Sequence, residues 1–236
     1  MDKGQRLGPY KNPNSKHAQV FSLVVPGSKA LEIGFGDGAL AMNLVKHKSC
    51  RVIGVEIDPC KVEAARAMGL VSSYGDIENE AFTHALDRDF DAVIFVDVLE
   101  HLRDPWAVLR RCHELLSDNG AVIACVPNVA HYSMRVRLLF GRFDYNPSGG
   151  IRDQTHLRFF TTVSLRNLVI GTGFTIDYVY YRSNLTGQPW RYLRVESVLG
   201  AWLARIWPNL FAYQTILRAR PTKKRVCCEF DAVLAV

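Results

Sequence analysis

The 236-residue chain is 48% hydrophobic and 22% charged, the balance of a folded globular protein long enough for one domain with an extension. No apolar run approaches the roughly 18 residues that a membrane span needs, and the first residues are polar, so a cytoplasmic chain is expected. A net charge of +6 favours an anionic substrate or surface, and six cysteines without a Cys-x-x-Cys pair point to reduced structural thiols rather than a disulfide framework.

Residues 1–27 read as an arm and a short helix, with Ser15 as the cap for His17–Val25 and Pro26-Gly27 as the stop. A domain is expected over 28–220, and 221–236 reads as a tail. Ala30–Gly34 is a predicted strand and Asp37–Lys46 a helix. Arg51–Ile57 is the next strand, followed by a helix opening at Asp58-Pro59, where aspartate caps and proline fills the first turn. Leu70–Tyr74 is a short strand, and Asp91–Val96 a continuous apolar one. Asp104-Pro105 opens a helix through Leu116. Asn119-Gly120 is expected to turn into strand Ala121–Val126, stopped by Pro127. Ser164–Ile170 is a predicted helix, and Phe174–Tyr181 and Leu210–Leu217 are predicted strands. This alternation predicts an α/β fold with helices on both faces of a largely parallel sheet.

Two stretches break the rhythm. Residues 131–160 are rich in arginine and aromatics and read as an inserted segment covering a substrate. Residues 190–207 carry Trp190, Leu193, Trp202 and Trp207 at helix-like spacing. That pattern suits core packing or a homodimer surface better than a helix lying in a membrane interface.

The glycine loop carries the first functional signal. Gly34-Phe35-Gly36-Asp37-Gly38 joins a strand to a helix, where backbone N–H groups can approach a ligand. Glycines alone would suit a dinucleotide equally well. Glu32 and Asp37, however, would repel a pyrophosphate and attract the ammonium of a methionyl group. Glu56 follows Gly36 by 20 residues at the end of the second strand, where an acid accepts ribose hydroxyls. Asp76 ends the third strand, placed to accept from an adenine amine while Ile77 packs on the ring.

With Leu31–Gly38, Gly54–Asp58, Gly75–Ile77 and Asp97–Leu102, the chain resembles the class I S-adenosylmethionine-dependent methyltransferases over roughly residues 28–180. The resemblance implies a Rossmann-like, seven-stranded sheet whose last strand is antiparallel. It implies cofactor contacts from Glu32, Gly34, Phe35, Gly36, Gly38, Glu56, Ile57, Asp76, Ile77, Asp97 and Val98. Val126–His131 and Arg152–Thr161 resemble a bacterial subgroup associated with small-molecule and glycan methylation.

Methyl transfer to a hydroxyl needs alignment of the acceptor and removal of a proton, a task that suits histidine near neutral pH. His131 and His156 are the candidate bases. Asp97, Glu100 and His101 stand at i, i+3 and i+4, a spacing that gathers three ligands for a divalent ion such as Mg²⁺ on a helical turn. His156 is a further ligand candidate. Related strings occur in RNA 2′-hydroxyl and ubiquinone-pathway methyltransferases and also in metal-free relatives. Arg135, Arg137, Arg142, Arg152 and Arg158, interleaved with aromatics, suit an anionic acceptor or a solvated basic face equally.

The expected function is O-methylation of a small molecule or a sugar or glycan precursor. The alternatives are methylation of a nucleic acid, for which the chain shows no separate RNA-binding module, and a cofactor-binding partner subunit without turnover.

Overall fold

The computed structural model describes residue 10 and residues 12–147, 149–183 and 195–222. In chain order the elements are α1 (Lys16–Leu23), β1 (Lys29–Ile33), α2 (Ala39–Lys48), β2 (Arg51–Glu56), α3 (Pro59–Ala67), β3 (Val71–Tyr74), α4 (Glu80–His84), β4 (Phe90–Val96) and a 3-10 turn (Leu99–His101). They continue with α5 (Pro105–Leu115), β5 (Leu116–Pro127), α6 (Tyr132–Leu139), α7 (Thr162–Gly171), β6 (Phe174–Ser183), α8 (Val195–Ile206), α9 (Pro208–Phe211) and β7 (Ala212–Pro221). The expectations for residues 1–9, for Trp190 and Leu193, and for the tail from 223 lie outside the described residues.

The seven strands form one sheet in the order β3-β2-β1-β4-β5-β7-β6. Strands β1 to β5 run parallel, and β7 lies antiparallel between β5 and β6. This is the α/β arrangement the strand–helix alternation predicts, with the last strand reversed.

Because strand side chains alternate between faces, the central strands feed two cores. Leu31, Ile33, Val93 and Phe95 point to one face and pack with Leu109 of α5 and Leu165 of α7. Ala30, Ala92, Ile94 and Ile123 point to the other and pack with Phe21 of α1, Leu44 of α2 and Val62 of α3. Helix starts follow the local chemistry. Ser15 Oγ accepts from the Ala18 N–H, Asp58 from Cys60 and Asp104 from Ala107, and Thr161 and Ser164 form a reciprocal capping box on α7.

Two expectations are corrected. Asn119-Gly120 is not a turn before the strand but part of β5, where the register with β4 slips between Phe90 and Ala92. The extra residues bulge out there, and a Cβ on Gly120 would come within 2.5 Å of the Phe90 carbonyl, so glycine serves a close backbone approach. The last strand begins at Ala212 rather than Leu210, because Pro208 starts the short helix α9. Residues 131–160, read as an inserted segment, contain the helix α6.

Candidate functional site

A cleft of about 620 Å³ opens at the carboxyl ends of β1, β2, β3 and β4, the place where open α/β sheets bind ligands. Gly34, Gly36, Glu56, Ile57, Asp76, Ile77, Asp97 and Val98 line it. The sequence places all eight at a cofactor site.

The glycines are there for geometry. Gly34 has φ +64°, and a Cβ there would meet Val98 Cγ2 at 2.7 Å. Gly36 has φ +60° with open space around it, and its N–H donates to Glu56 Oε2 at 3.0 Å. Glu56 Oε1 accepts from the Ile57 and Asp58 N–H groups at 3.0 and 3.3 Å. Three backbone donors from two loops therefore fix this carboxylate before any ligand arrives.

Glu32, Phe35 and Gly38 are not in the lining. Phe35 is buried in the core, its ring so close beneath Gly54 that a Cβ there would lie 2.5 Å away. Gly38 sits at the N-terminal cap of α2 with φ +71°. Glu32 is 3% exposed beneath the loop, and Oε2 has no hydrogen-bond partner among the described residues. Burial, reinforced by the charge of Asp37 and partly offset by a hydrogen bond from the Ala41 N–H, pushes its pKa up to about 8.

Asp97 directly follows β4 with φ 54°, a left-handed conformation that turns it out of the 3-10 turn that follows. Lys16 Nζ bonds Asp97 Oδ2, and Gln214 Nε2 donates to Oδ1 at 2.9 Å. Burial lowers the Lys16 pKa, but the Asp97 carboxylate outweighs it, and the net shift is upward. The i, i+3, i+4 grouping is therefore corrected. The donors that converge are Glu100, His101 and His156, with ligand atoms within 4.8 Å of one another, and Asp97 is not one of them.

His156 arrives on a loop stitched over the 3-10 turn. Leu157 and Arg158 N–H groups donate to the Glu100 carbonyl at 2.8 and 2.9 Å, and His101 Nδ1 lies 3.2 Å from the Thr155 carbonyl. His101 and His156 rings meet edge-on at 4.8 Å. Burial raises the Glu100 carboxyl well above the usual range, with the charge of Asp97 adding to it. Burial and the neighbouring His101 lower His156.

His131 caps α6, with Nδ1 2.8 Å from Ser133 Oγ, and its ring meets Tyr213 edge-on at 5.4 Å. Burial depresses its pKa to about 4, and Nε2 has no partner among the described residues. Of these three histidines, only His101 lines the cleft.

None of the five arginines between 135 and 158 lines the cleft either. Arg135 donates to the Ala130 carbonyl, Arg152 to that of Asp144 and Arg158 to that of Arg103. The cations that do line it are Lys61 and Arg103, the latter bonded to Glu78 at 3.2 Å and lying 3.5 Å from Asp76. Sequence reasoning misses Lys16, Arg103, Thr155, Leu157 and Gln214, because their places depend on contacts between distant elements. Asn128, in the Pro-Asn string, is structural: its Nδ2 donates to the Ala212 carbonyl at 2.7 Å and ties β5 to β7.

Residues 1–179 match the model of a family described as a methyltransferase domain. The chain is 30% identical over 101 residues to the ubiquinone biosynthesis O-methyltransferase of Neisseria meningitidis, a stretch covering 41% of this chain and 42% of that enzyme. It is 34% identical over 106 residues to the enzyme of the same name from Cereibacter sphaeroides, covering 43% and 42%. The match thus spans less than half the length of these relatives. Among solved structures, a SAM-dependent methyltransferase from Thermotoga maritima aligns with TM-score 0.60 at 22% identity, covering 89% of this chain and 88% of that one. The [4+2]-cyclase SpnF aligns with TM-score 0.61 at 16% identity, covering 94% and 86%. The chain belongs to the methyltransferase-domain family and has the class I fold of S-adenosylmethionine-dependent methyltransferases.

Proposed function

We propose that the chain transfers a methyl group from S-adenosylmethionine to a hydroxyl of a small molecule or of a sugar or glycan precursor. The observation that carries this is the Glu56 carboxylate, fixed by three backbone N–H groups inside a cleft floored by Gly34 and Gly36. Its oxygens suit paired ribose hydroxyls, and Asp76 and Ile77 stand where an adenine would follow.

When bound, the cofactor supplies an electrophilic methyl group on a positively charged sulfur. The protein's part would be to hold the acceptor hydroxyl in line with that methyl group and to take up its proton. His101 faces the cleft with His156 behind it, and both suit that proton. His131, kept neutral by burial, is a separate candidate at the start of α6. The relatives named for ubiquinone biosynthesis support a small-molecule acceptor.

A second reading has one observation in its favour, the convergence of Glu100, His101 and His156. These three would hold a divalent ion, which would orient the acceptor oxygen and lower its pKa. The fold neighbour named as a cyclase supports a further alternative, a cofactor-binding chain that does not transfer methyl groups, because fold does not determine chemistry.

Isothermal titration with S-adenosylmethionine, followed by turnover on pools of phenolic and sugar acceptors, tests the proposal. Saturable binding and methylated product are expected. Absence of binding rejects it, and binding without product from any pool, RNA included, leaves the cofactor-binding alternative.

A further inference from the structure

We propose that α6 and the residues just after it form a docking surface for an anionic lipid bilayer. Met134 is the one residue of α6 that is buried. Val136, Leu138, Leu139 and Phe140 are 52%, 51%, 81% and 72% exposed, an apolar cluster that water would not ordinarily be left to cover. Arg135, Arg137 and Arg142 are interleaved with them, and residues 131–143 contain no aspartate or glutamate.

Exposed leucine and phenylalanine beside arginines, without an acid, is the composition of a helix that lies in a headgroup layer. The apolar side chains enter the acyl boundary, and the guanidinium groups meet lipid phosphates, while the arginine stems cover apolar surface. A second copy of the chain is the weaker occupant. A two-fold contact sets the patch against itself, arginine facing arginine with no carboxylate to pair.

The position in the fold agrees. α6 is capped by His131, just past Pro127 at the carboxyl end of β5, the edge of the sheet on which the cleft opens. The Tyr132 ring at its base lies 6.2 Å from Phe211 of α9. α9 directly follows Ile206 and Trp207, which are 61% and 58% exposed. Docking on this side would bring the mouth of the cleft to the bilayer surface.

The test uses the full chain and sedimentation with vesicles of phosphatidylcholine, with and without phosphatidylglycerol. Partitioning onto phosphatidylglycerol vesicles is expected, weakening as salt rises. R137Q and R142Q should each lower it about fivefold. The double variant L139S/F140S should lower it at least about tenfold, with melting temperature and S-adenosylmethionine affinity unchanged. Absence of partitioning overturns the proposal, as does partitioning that neither set of variants weakens. A solution dimer that L139S/F140S dissociates, without vesicle binding, overturns it in favour of a second copy. The proposal stands independently of the methyl-transfer reading, because vesicle binding is measured without turnover.

Discussion

His156 Nε2 lies 3.9 Å from Glu100 Oε1, with the two side chains 5% and 1% exposed. Neither Glu100 oxygen has a hydrogen-bond partner among the described residues. Burial pushes the Glu100 carboxyl up and His156 down, and both shifts favour neutral forms over an ion pair. Glu100→Gln, neutral and of the same shape, should therefore leave unfolding stability within about 1 kcal/mol in urea titrations. Glu100→Ala should cost about 2–3 kcal/mol through the cavity it opens. On this view turnover survives chelation by EDTA. Chelator-sensitive turnover, with a divalent-ion titration signal lost in Glu100→Gln, would show that the three converging side chains are ligands.

The two loop glycines should respond differently to the same change. Gly34→Ala adds a methyl 2.7 Å from Val98 Cγ2 at a positive φ. Val98 lines the cleft, so relief of that clash deforms the floor. Cofactor affinity in Gly34→Ala should fall at least about a hundredfold, close to 3 kcal/mol. Gly36→Ala meets open space and pays only the left-handed backbone penalty of about 1–2 kcal/mol. Paired calorimetric titrations and thermal melts separate the two. Equal losses of affinity would refute the assigned role of Val98.

Lys16 holds Asp97 from outside the sheet, and Gln214 holds it from β7. The ion pair is partly exposed, so its loss in Lys16→Met should change stability by less than about 1 kcal/mol. Its effect on the site should be larger, because Asp97 lines the cleft and would lose its charged anchor. A rise in the cofactor dissociation constant of about tenfold, or about 1.4 kcal/mol, is expected from calorimetry. If affinity follows the wild type within a factor of two, the pair only fastens α1 to the sheet.

What the sequence made legible follows from how local each signal is. Continuous apolar runs such as Val93–Val96 and the Asp-Pro caps at 58 and 104 are set by neighbours in the chain, and the structure places strands and helices there. Gly34, Glu56 and Asp76 were readable because each sits at a strand end whose order the chain dictates. Phe35 could be read as belonging to the loop but not as turning into the core, which depends on the bare backbone of Gly54 on the neighbouring strand. Asp97 misled for a related reason. Its spacing to Glu100 and His101 assumes a continuous helical turn, whereas its positive φ breaks the turn and Lys16, 81 residues away in sequence, holds the carboxylate. His156, which the sequence offers as a further ligand candidate, comes from a loop whose path no local pattern specifies.

Glu32 gives the most direct pH signature. Its folded pKa of about 8 stands above the ordinary 4.5, so between those values the folded chain keeps a proton that the unfolded chain has lost. Stability contributed by this group is fully present below about pH 4.5 and declines as pH rises towards 8. From pH 6 to 8 the loss should be about 2 kcal/mol. Glu32→Gln removes the titration, and its unfolding free energy should be flatter across that range by the same amount. A bound methionyl ammonium acts in the opposite direction, because a cation near the loop favours the carboxylate. Cofactor binding at pH 7 should then release a proton from Glu32, seen as a dependence of the calorimetric enthalpy on the ionisation enthalpy of the buffer. That dependence should vanish in Glu32→Gln. A wild-type stability profile as flat as that of Glu32→Gln would mean that Glu32 is already ionised in the folded chain, and the proton release would vanish with it.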